Sequence, residues 1–216
     1  MKPIISIVGK SESGKTTLLE SLIAELKQRG YRVAVIKHSG EDFEFDTVNK
    51  DSWRFRQAGS EVTAVSSAHK LAVIKNMEHD LNPPELAQFI GSDYDLILTE
   101  GFKQSNHLKI EVHRREQGKE LLSPLKQLLA VVTDEPLDLD IPQFSRDEIQ
   151  KIANLIEKTV ISQNQENDVD LFLNDDHLPL NKFSKNLLFR TLVAIVSGMK
   201  GSKEVQNLRI SFRRKA

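Results

Sequence analysis

The segment that most constrains the fold is a glycine-containing loop near the start of the chain. Residues 9–17 are GKSESGKTT, which fits the pattern G-x-x-x-x-G-K-[ST] of a phosphate-binding loop. The apolar run 4–8 precedes the loop, and leucines at the spacing of an amphipathic helix follow it. Because strand, loop and helix in this order are the context that the motif requires, the sequence predicts an α/β domain that binds a nucleoside triphosphate.

Each residue type in the loop suits a polyphosphate. Gly9 and Gly14 allow backbone turns that a Cβ would obstruct, so consecutive N–H groups can converge on phosphate oxygens. Lys15 supplies a cation for the β and γ phosphates, and the Thr16 hydroxyl is positioned to bind Mg²⁺. The positive end of the helix dipole adds to the attraction. The alternative is a β-to-α turn without a ligand, which gives the lysine and the hydroxyl no purpose.

Composition narrows the possible functions. The 216 residues suffice for one α/β domain and a small addition, and the net charge of -1 gives no reason to expect nucleic-acid or membrane binding. With no cysteine, the chain has neither disulfides nor cysteine-ligated metal. The first strand begins almost at Met1 and no apolar run is long enough to span a bilayer, so we expect a cytoplasmic protein.

Hydrophobic periodicity predicts a mainly parallel sheet of the P-loop NTPase type, flanked by helices. Its further strands are expected at 32–36, 95–100, 108–112 and 128–132, the last being the final strand of the main sheet. Two short strands, 61–66 and 70–75, are expected to form an antiparallel hairpin added to this sheet. Helices are expected at 50–58, after Asn82-Pro83-Pro84, and at 145–160, where Ser145 and Glu148 have capping-box spacing.

The composition changes after the predicted nucleotide-binding domain, which covers residues 1–161. Residues 162–176 contain five acids and no Lys or Arg, and 162–167 are predicted to be a linker. Residues 168–216 are predicted to form a small α+β unit with a strand at 169–173, a helix at 183–199 and a strand at 205–212. A unit this small should pack on something else, and its apolar helix stripe is either core or an interface with another subunit. The terminal Arg213-Arg214-Lys215 is a solvated tail or a binding patch.

Two carboxylates follow predicted strands. Glu100 ends an apolar strand, where a phosphate-loop enzyme holds Mg²⁺ opposite the loop hydroxyl. A solvated acid at the end of the strand is the alternative. Asp134 follows the strand at 128–132, where a carboxylate can accept hydrogen bonds from a guanine base. A turn aspartate before Glu135-Pro136 is equally open.

Several further motifs coincide with the phosphate loop and its continuation, Ser-Gly-Lys-Thr-Thr-Leu. They are Lys37-His38, Asp46 with Lys50-Asp51-Ser52 and Arg54, Ala58-Gly59, the segment DLILTEGFK at 95–103, and KIEV at 109–112. Together they resemble the molybdopterin-guanine dinucleotide biosynthesis adapter family over about residues 1–160. The Glu-Gly-Phe-Lys element discriminates best, because many families share the phosphate loop.

The resemblance implies a protein that binds GTP and Mg²⁺, is usually a homodimer, and hydrolyses GTP slowly or not at all. It further implies a role in assisting a molybdopterin guanylyltransferase-type enzyme, which attaches a guanine nucleotide to molybdopterin in molybdenum cofactor biosynthesis. Carried over by position, Thr16 and Glu100 are on the metal side, and Lys37, Asp46 and Lys103 line the same cleft. The full set of candidate nucleotide-binding residues is Gly9, Lys10, Ser11, Glu12, Ser13, Gly14, Lys15, Thr16, Thr17, Lys37, Asp46, Lys103 and Asp134.

Lys10 has two interpretations. In some dimeric phosphate-loop proteins a lysine at this position reaches the partner's nucleotide, and the alternative is a solvated surface lysine.

The sequence also departs from the family pattern. Family members commonly have more histidines after Lys-His and a glycine before Lys-Asp, whereas this chain has Ser39-Gly40-Glu41-Asp42 and Val48-Asn49. The role of the loop 39–51 is therefore not carried over, and the C-terminal unit lies outside the usual adapter domain.

Two other functions remain open. A small-molecule kinase would need a carboxylate for the acceptor and cations over the transferred phosphate, roles that Asp46, Arg54 and Arg56 could fill. No compact arginine-bearing lid is evident, however. A metallochaperone GTPase would need metal ligands, whereas the six histidines have no ligand spacing and cysteine is absent.

Overall fold

The computed structural model describes residues 2–40, 43–91, 93–118, 120–161, 169, 171–173, 176–199, 208 and 210. The strands in the described part are β1 (Ile4–Gly9), β2 (Val33–Lys37), β3 (Val62–Ser66), β4 (Leu71–Lys75), β5 (Leu96–Glu100), β6 (Leu108–Val112), β7 (Leu128–Val132), β8 (Gln143–Phe144), β9 (Leu171–Leu173) and β10 (Asp176–Leu178). The α-helices there are α1 (Lys15–Gln28), α2 (Asp51–Gln57), α3 (Pro83–Ile90), α4 (Ile149–Ile156) and α5 (Lys182–Ser197).

The main sheet has six parallel strands in the order β2-β5-β1-β6-β7-β8. All six residues of β1 are buried, because helices cover both faces of the sheet. One face packs against α1 and α4 through residues such as Leu22 and Ile152. The other face carries a smaller cluster that includes Ala87 of α3 and Tyr94. The phosphate loop therefore follows a strand that is held between two neighbours.

The structure confirms the mainly parallel sheet and corrects three details of the prediction. The hairpin β3–β4 pairs as expected but forms its own two-stranded sheet instead of joining the main one. The two-residue strand β8 extends the main sheet beyond β7. The helix predicted at 145–160 begins at Ile149 and continues after Ile156 as a π-helical turn at Glu157–Ile161, although the backbone N–H of Ser145 does donate to Glu148 Oε2.

The C-terminal unit is only partly described. The described residues include the predicted helix, as α5, and a strand that the sequence did not indicate, β10, which pairs antiparallel with β9. The linker at 162–167, most of the predicted strand at 205–212 and the tail 213–215 lie outside the described residues, and the division into domains stays a prediction. Of the helices in the described part, none is long and apolar enough to cross a bilayer.

A polar cluster joins the end of α1 to the end of α4. The Tyr31 hydroxyl donates to Glu157 Oε1 at 2.5 Å, and Arg29 Nη1 donates to Glu157 Oε2 at 2.9 Å. These contacts, the Tyr31 hydrogen bond foremost, lower the pKa of Glu157. The same hydrogen bond raises the pKa of Tyr31.

We expect Glu157→Gln to remove an acid-dependent part of the stability. Because the folded-state pKa of Glu157 lies below its usual value of about 4.3, the ionised carboxylate stabilises the fold above that pH, and this contribution is lost as pH falls through the folded-state pKa. Urea unfolding at several pH values should show lower stability of the variant at pH 7 and a smaller loss between pH 5 and pH 3. Glu20→Gln, at an exposed position of α1, is the matched control, and parallel curves for wild type and Glu157→Gln would contradict the assignment.

Candidate nucleotide-binding site

The phosphate loop lies at the carboxyl edge of the parallel sheet, where α/β proteins collect their ligands. Gly9 ends β1 and pairs with Val112 of β6. A Cβ on Gly9 would lie 2.5 Å from the Val112 carbonyl oxygen and 2.6 Å from Ser13 Oγ, so only glycine fits this turn. The close approach of the two strands thus requires the first glycine of the motif.

The loop backbone includes residues with positive φ and leads into a helix start that no side chain caps. Gly14 has φ +97° and is the N-cap of α1, so no side chain caps the first turn of the helix. Glu12 has φ +60°, which is unfavourable for a residue with a Cβ. Uncapped N–H groups at a helix start form an anion-binding site, and strain of this kind is typical of functional loops.

Thr16 and Glu100 meet although 84 residues separate them. The Thr16 hydroxyl donates to the two carboxylate oxygens of Glu100 at 3.1 and 3.2 Å. The contact follows from the parallel pairing of β1 with β5, in which Ile7 lies opposite Glu100. A hydroxyl and a carboxylate side by side are oxygen ligands of the kind that Mg²⁺ prefers, so these residues fit the ion that the loop motif implies.

Three lysines surround this pair. Lys15 donates from Nζ to the Lys10 carbonyl oxygen at 2.7 Å. Its pKa is lowered, first by burial and also by Lys103 and Lys37, while Glu100 opposes the shift. Lys37 ends β2 directly opposite Glu100 in the strand register. The structure thus places Thr16 and Lys37 beside Glu100 and brings Lys15 near enough to Glu100, Lys37 and Lys103 for their charges to act on its pKa, and the excess positive charge of these lysines fits a polyphosphate.

The Glu100–Lys103 element is held in place by its neighbours. Gly101 and Phe102 have φ +101° and +55°, and a Cβ on Gly101 would lie 3.2 Å from the Cβ of His38. The His38 ring packs on Phe102 with 4.6 Å between centroids, and its Nε2 lies 2.9 Å from a carboxylate oxygen of Asp80. The motif residues Gly101 and Phe102 therefore shape the backbone that carries Lys103.

Two buried charged residues of β6 anchor the loops beside the site. Lys109 is 1% exposed, and its Nζ donates to the carbonyl oxygens of Lys103 and Ser105 and to Gln127 Oε1 at 2.9, 2.7 and 2.6 Å. Glu111 accepts from the backbone N–H groups of Leu122 and Ser123 at 2.6 and 2.9 Å. Lys109 and Glu111 of the KIEV motif therefore position loops, whereas Val112 of the same motif lies against Gly9 of the phosphate loop.

Asp134 follows β7 and belongs to a second group of charged residues on the other side of the phosphate loop. It accepts from the Arg115 backbone N–H at 3.2 Å and lies 3.9 Å from Arg114 Nη1. Arg114 Nε in turn donates to the carbonyl oxygen of Ser13 in the loop, at 2.9 Å. A cavity of about 490 Å³ opens here, and its lining residues are Glu12, Arg114, Glu116, Asp134, Arg146 and Asp147.

The sequence reasoning missed Arg114 and Arg146. Arg114 comes two residues after β6 and Arg146 two residues after β8. Isolated arginines carry no motif, and β8 was not predicted. The available signal was that charged residues after parallel strands gather at one edge of the sheet.

Some candidate residues are not brought to the loop. Asp46 accepts from the Ser52 hydroxyl and the Thr47 backbone N–H, both at 2.9 Å, and makes no contact with the phosphate loop in the described part of the chain. The Nζ of Lys10 lies 3.6 Å from the position of a Cβ on Gly118, and its predicted reach to a partner's nucleotide stays a prediction.

The two arginines considered for a kinase pair with acids near α2, Arg54 with Asp51 at 3.8 Å and Arg56 with Glu44 at 3.0 Å. Across the described ranges, no group of three or more acids and histidines could hold a metal alone.

Comparisons with known proteins agree with this geometry. Residues 4–134 match the family model for molybdopterin guanine dinucleotide synthesis protein B. The chain is 42% identical over 156 residues to the molybdopterin-guanine dinucleotide biosynthesis adapter protein of Haemophilus influenzae, covering 72% of this chain and 88% of that protein. The Escherichia coli adapter protein is 35% identical, with 76% and 97% covered.

Solved structures of proteins from the same family have a similar fold. The MobB homolog from Bacillus stearothermophilus superposes with a TM-score of 0.58 at 28% identity, covering 74% of this chain and 98% of that one. Bacillus subtilis MobB gives a TM-score of 0.58 at 27% identity, with 71% and 97% covered.

We expect Lys109→Met to destabilise the protein by about 2–4 kcal/mol, because it leaves buried acceptors without a donor. Urea unfolding measures the loss, and limited proteolysis should show faster cleavage at 103–107. Lys126→Met, the same substitution at an exposed position nearby, is the control and should change neither measurement. Equal stability of the two variants would contradict the anchoring role of Lys109.

Proposed function

The chain belongs to the molybdopterin guanine dinucleotide synthesis protein B family, and from this premise we propose that it acts as a GTP-binding adapter. The adapter role in molybdopterin guanine dinucleotide biosynthesis implies an enzyme partner. We identify that partner as a molybdopterin guanylyltransferase-type enzyme on the strength of the sequence resemblance, and this part stays a prediction, as does the cytoplasmic location.

The observation that carries the proposal is the contact between Thr16 and Glu100 beside three lysines. In the proposed complex, Thr16 and Glu100 hold Mg²⁺, and the ion offsets phosphate charge. Lys15 binds the terminal phosphates from the loop side. Lys37 and Lys103 would contact the γ phosphate. The nucleotide thus crosses the loop with its terminal phosphate towards β2 and β5.

The base would then lie on the β6–β8 side, in the cavity that contains Asp134. A carboxylate accepts hydrogen bonds, and the N1–H and N2–H₂ groups of guanine are adjacent donors on one edge of the base. Adenine offers no such pair, since its N1 is an acceptor. Asp134 is exposed by 44% and is therefore accessible to a ligand. The paired donors of guanine then make it the better match for this carboxylate.

The kinase alternative has less support. Arg54 and Arg56 pair with acids near their own helix, and the cations close to Glu100 are lysines of the strands and their loops. The family resemblance implies that hydrolysis is slow or absent, and phosphate-release measurements on the purified protein would check this.

We also propose that the protein is a homodimer and that the hairpin β3–β4 takes part in the interface. A two-stranded sheet is only marginally stable by itself. One face of the hairpin nevertheless exposes three apolar side chains, each by about half or more: Val62, Leu71 and Val73. A second copy of the same hairpin could cover this surface by pairing with it.

We expect Mg²⁺-dependent binding of GTP at least about tenfold tighter than of ATP, because adenine lacks the two adjacent donors that guanine offers to the Asp134 carboxylate. Lys15→Ala should weaken GTP binding about 10- to 100-fold through loss of a charge-assisted contact. Isothermal titration with and without EDTA measures both effects. Lys27→Ala, on the same helix but at its far end, is the matched control.

Three results would each refute one part of this proposal. Tighter binding of ATP would favour the kinase alternative. Wild-type affinity of Lys15→Ala would place the site elsewhere, and unchanged affinity in EDTA would remove the metal from the proposal.

For the dimer, we expect Val73→Lys to shift the protein to monomer, because a charge on the hairpin face would be buried without a partner. Sedimentation velocity at micromolar concentration distinguishes the two states. Leu125→Lys, which places the same charge on an exposed apolar residue outside the hairpin, should leave the dimer intact. A monomeric wild type would contradict the proposed assembly.

A further inference from the structure

Two arginines from separate strand ends converge on the phosphate loop. A Cβ placed on Gly14 would overlap Nη2 of Arg146 and lie 3.3 Å from Nη2 of Arg114. Gly14 is the residue directly before Lys15, in the stretch whose backbone N–H groups cradle phosphates. The two guanidinium groups thus point to one place beside the loop.

At that place, both arginines lack an acceptor. Arg114 Nη2 is buried and has no hydrogen-bond partner. Its other nitrogens are used: Nε donates to the Ser13 carbonyl oxygen, and Nη1 lies 3.9 Å from Asp134. Arg146 makes no hydrogen bond or ion pair with any other described residue. A buried donor without an acceptor is costly, so Arg114 Nη2 calls for an oxygen atom that the described residues do not supply.

We propose that Arg114 and Arg146 form an anion clamp that binds the phosphates nearest the nucleoside of the bound nucleotide. Guanidinium groups form strong, directional hydrogen bonds with phosphate oxygens. The clamp lies on the opposite side of the loop from Lys37 and Lys103. It therefore acts on the α and β phosphates, whereas those lysines act on the γ phosphate. The assignment rests on the proposed function, since it concerns the same nucleotide.

The four acids of the cavity are consistent with phosphate binding at the arginines and nucleoside binding in the rest of the cavity. Glu12, Glu116, Asp134 and Asp147 line the wider space, where they would repel phosphate. Hydroxyl groups of a ribose and the N–H groups of a guanine are donors that carboxylates accept. The phosphate chain is thus confined to the guanidinium tips beside Gly14, and the remaining cavity is left to the nucleoside.

The test compares the affinities of guanosine, GDP and GTP for the wild-type protein and for variants at Arg146 and Lys103. Arg146→Ala should weaken GDP and GTP binding by the same factor, about tenfold or more, and leave guanosine binding unchanged. Lys103→Ala should weaken GTP binding much more than GDP binding. The ratio of the two affinities therefore separates the clamp from the γ-phosphate lysines. Arg146→Lys should recover part of the loss, because it keeps the charge without the planar fork.

Arg115→Ala is the matched control, because the Arg115 side chain is 80% exposed and lies 3.4 Å from Glu135, not at the loop. Arg146 is itself exposed, so its replacement should leave the melting temperature unchanged. Inorganic pyrophosphate gives a second readout, since it should raise the melting temperature of wild type more than that of Arg146→Ala.

Wild-type affinity of Arg146→Ala for GDP and GTP would overturn the clamp, as would a loss confined to GTP or an equal loss for guanosine. If wild-type binding depends on Lys15 but not on Arg146, only the clamp fails and the GTP-binding function stands. A wild type that binds no guanine nucleotide would remove both.

Discussion

The parallel pairing of β1 with its two neighbours is the constraint on which the rest of the structure depends. On one side, β5 brings Glu100 to Thr16, so a carboxylate and a hydroxyl that are distant in sequence lie in hydrogen-bond contact. On the other, β6 approaches Gly9 so closely that a side chain there would strike the Val112 carbonyl oxygen. The loop is shaped by both contacts, and a shift in the register of either strand would separate the groups that face the phosphates.

Features governed by local sequence were predictable, and those governed by tertiary packing were not. The loop, its strand and the leucine-rich α1 follow from spacing alone, because motif and periodicity are local signals. The hairpin β3–β4 was also evident, but nothing in its residues says which sheet it joins. The two-residue β8 carries too short a pattern to be recognised, and β10 pairs with β9 through residues of mixed polarity.

The same distinction applies to the site. Glu100 could be selected because it ends an apolar strand, and Lys103 because it belongs to a recognisable motif. Arg114 and Arg146 became visible only when the strand order placed β6 and β8 on the same side of the loop. Asp46 belongs to the family pattern yet makes its described contacts within its own segment. A match to a family motif thus shows that the sequences are similar, but it does not show that the matched residue contacts the site.

The buried pair on β6 has a consequence for how the protein can change over time. Lys109 and Glu111 lie two positions apart, so their side chains point to the same face of the strand, and each holds the backbone of a different loop. Inserting or deleting one residue in either loop would leave a buried charge without its partners. These loops lie on the surface, where length usually varies freely between relatives. Here Lys109 and Glu111 restrict the lengths of both loops. The loops at the edge of the site are therefore held in place by a strand of the sheet.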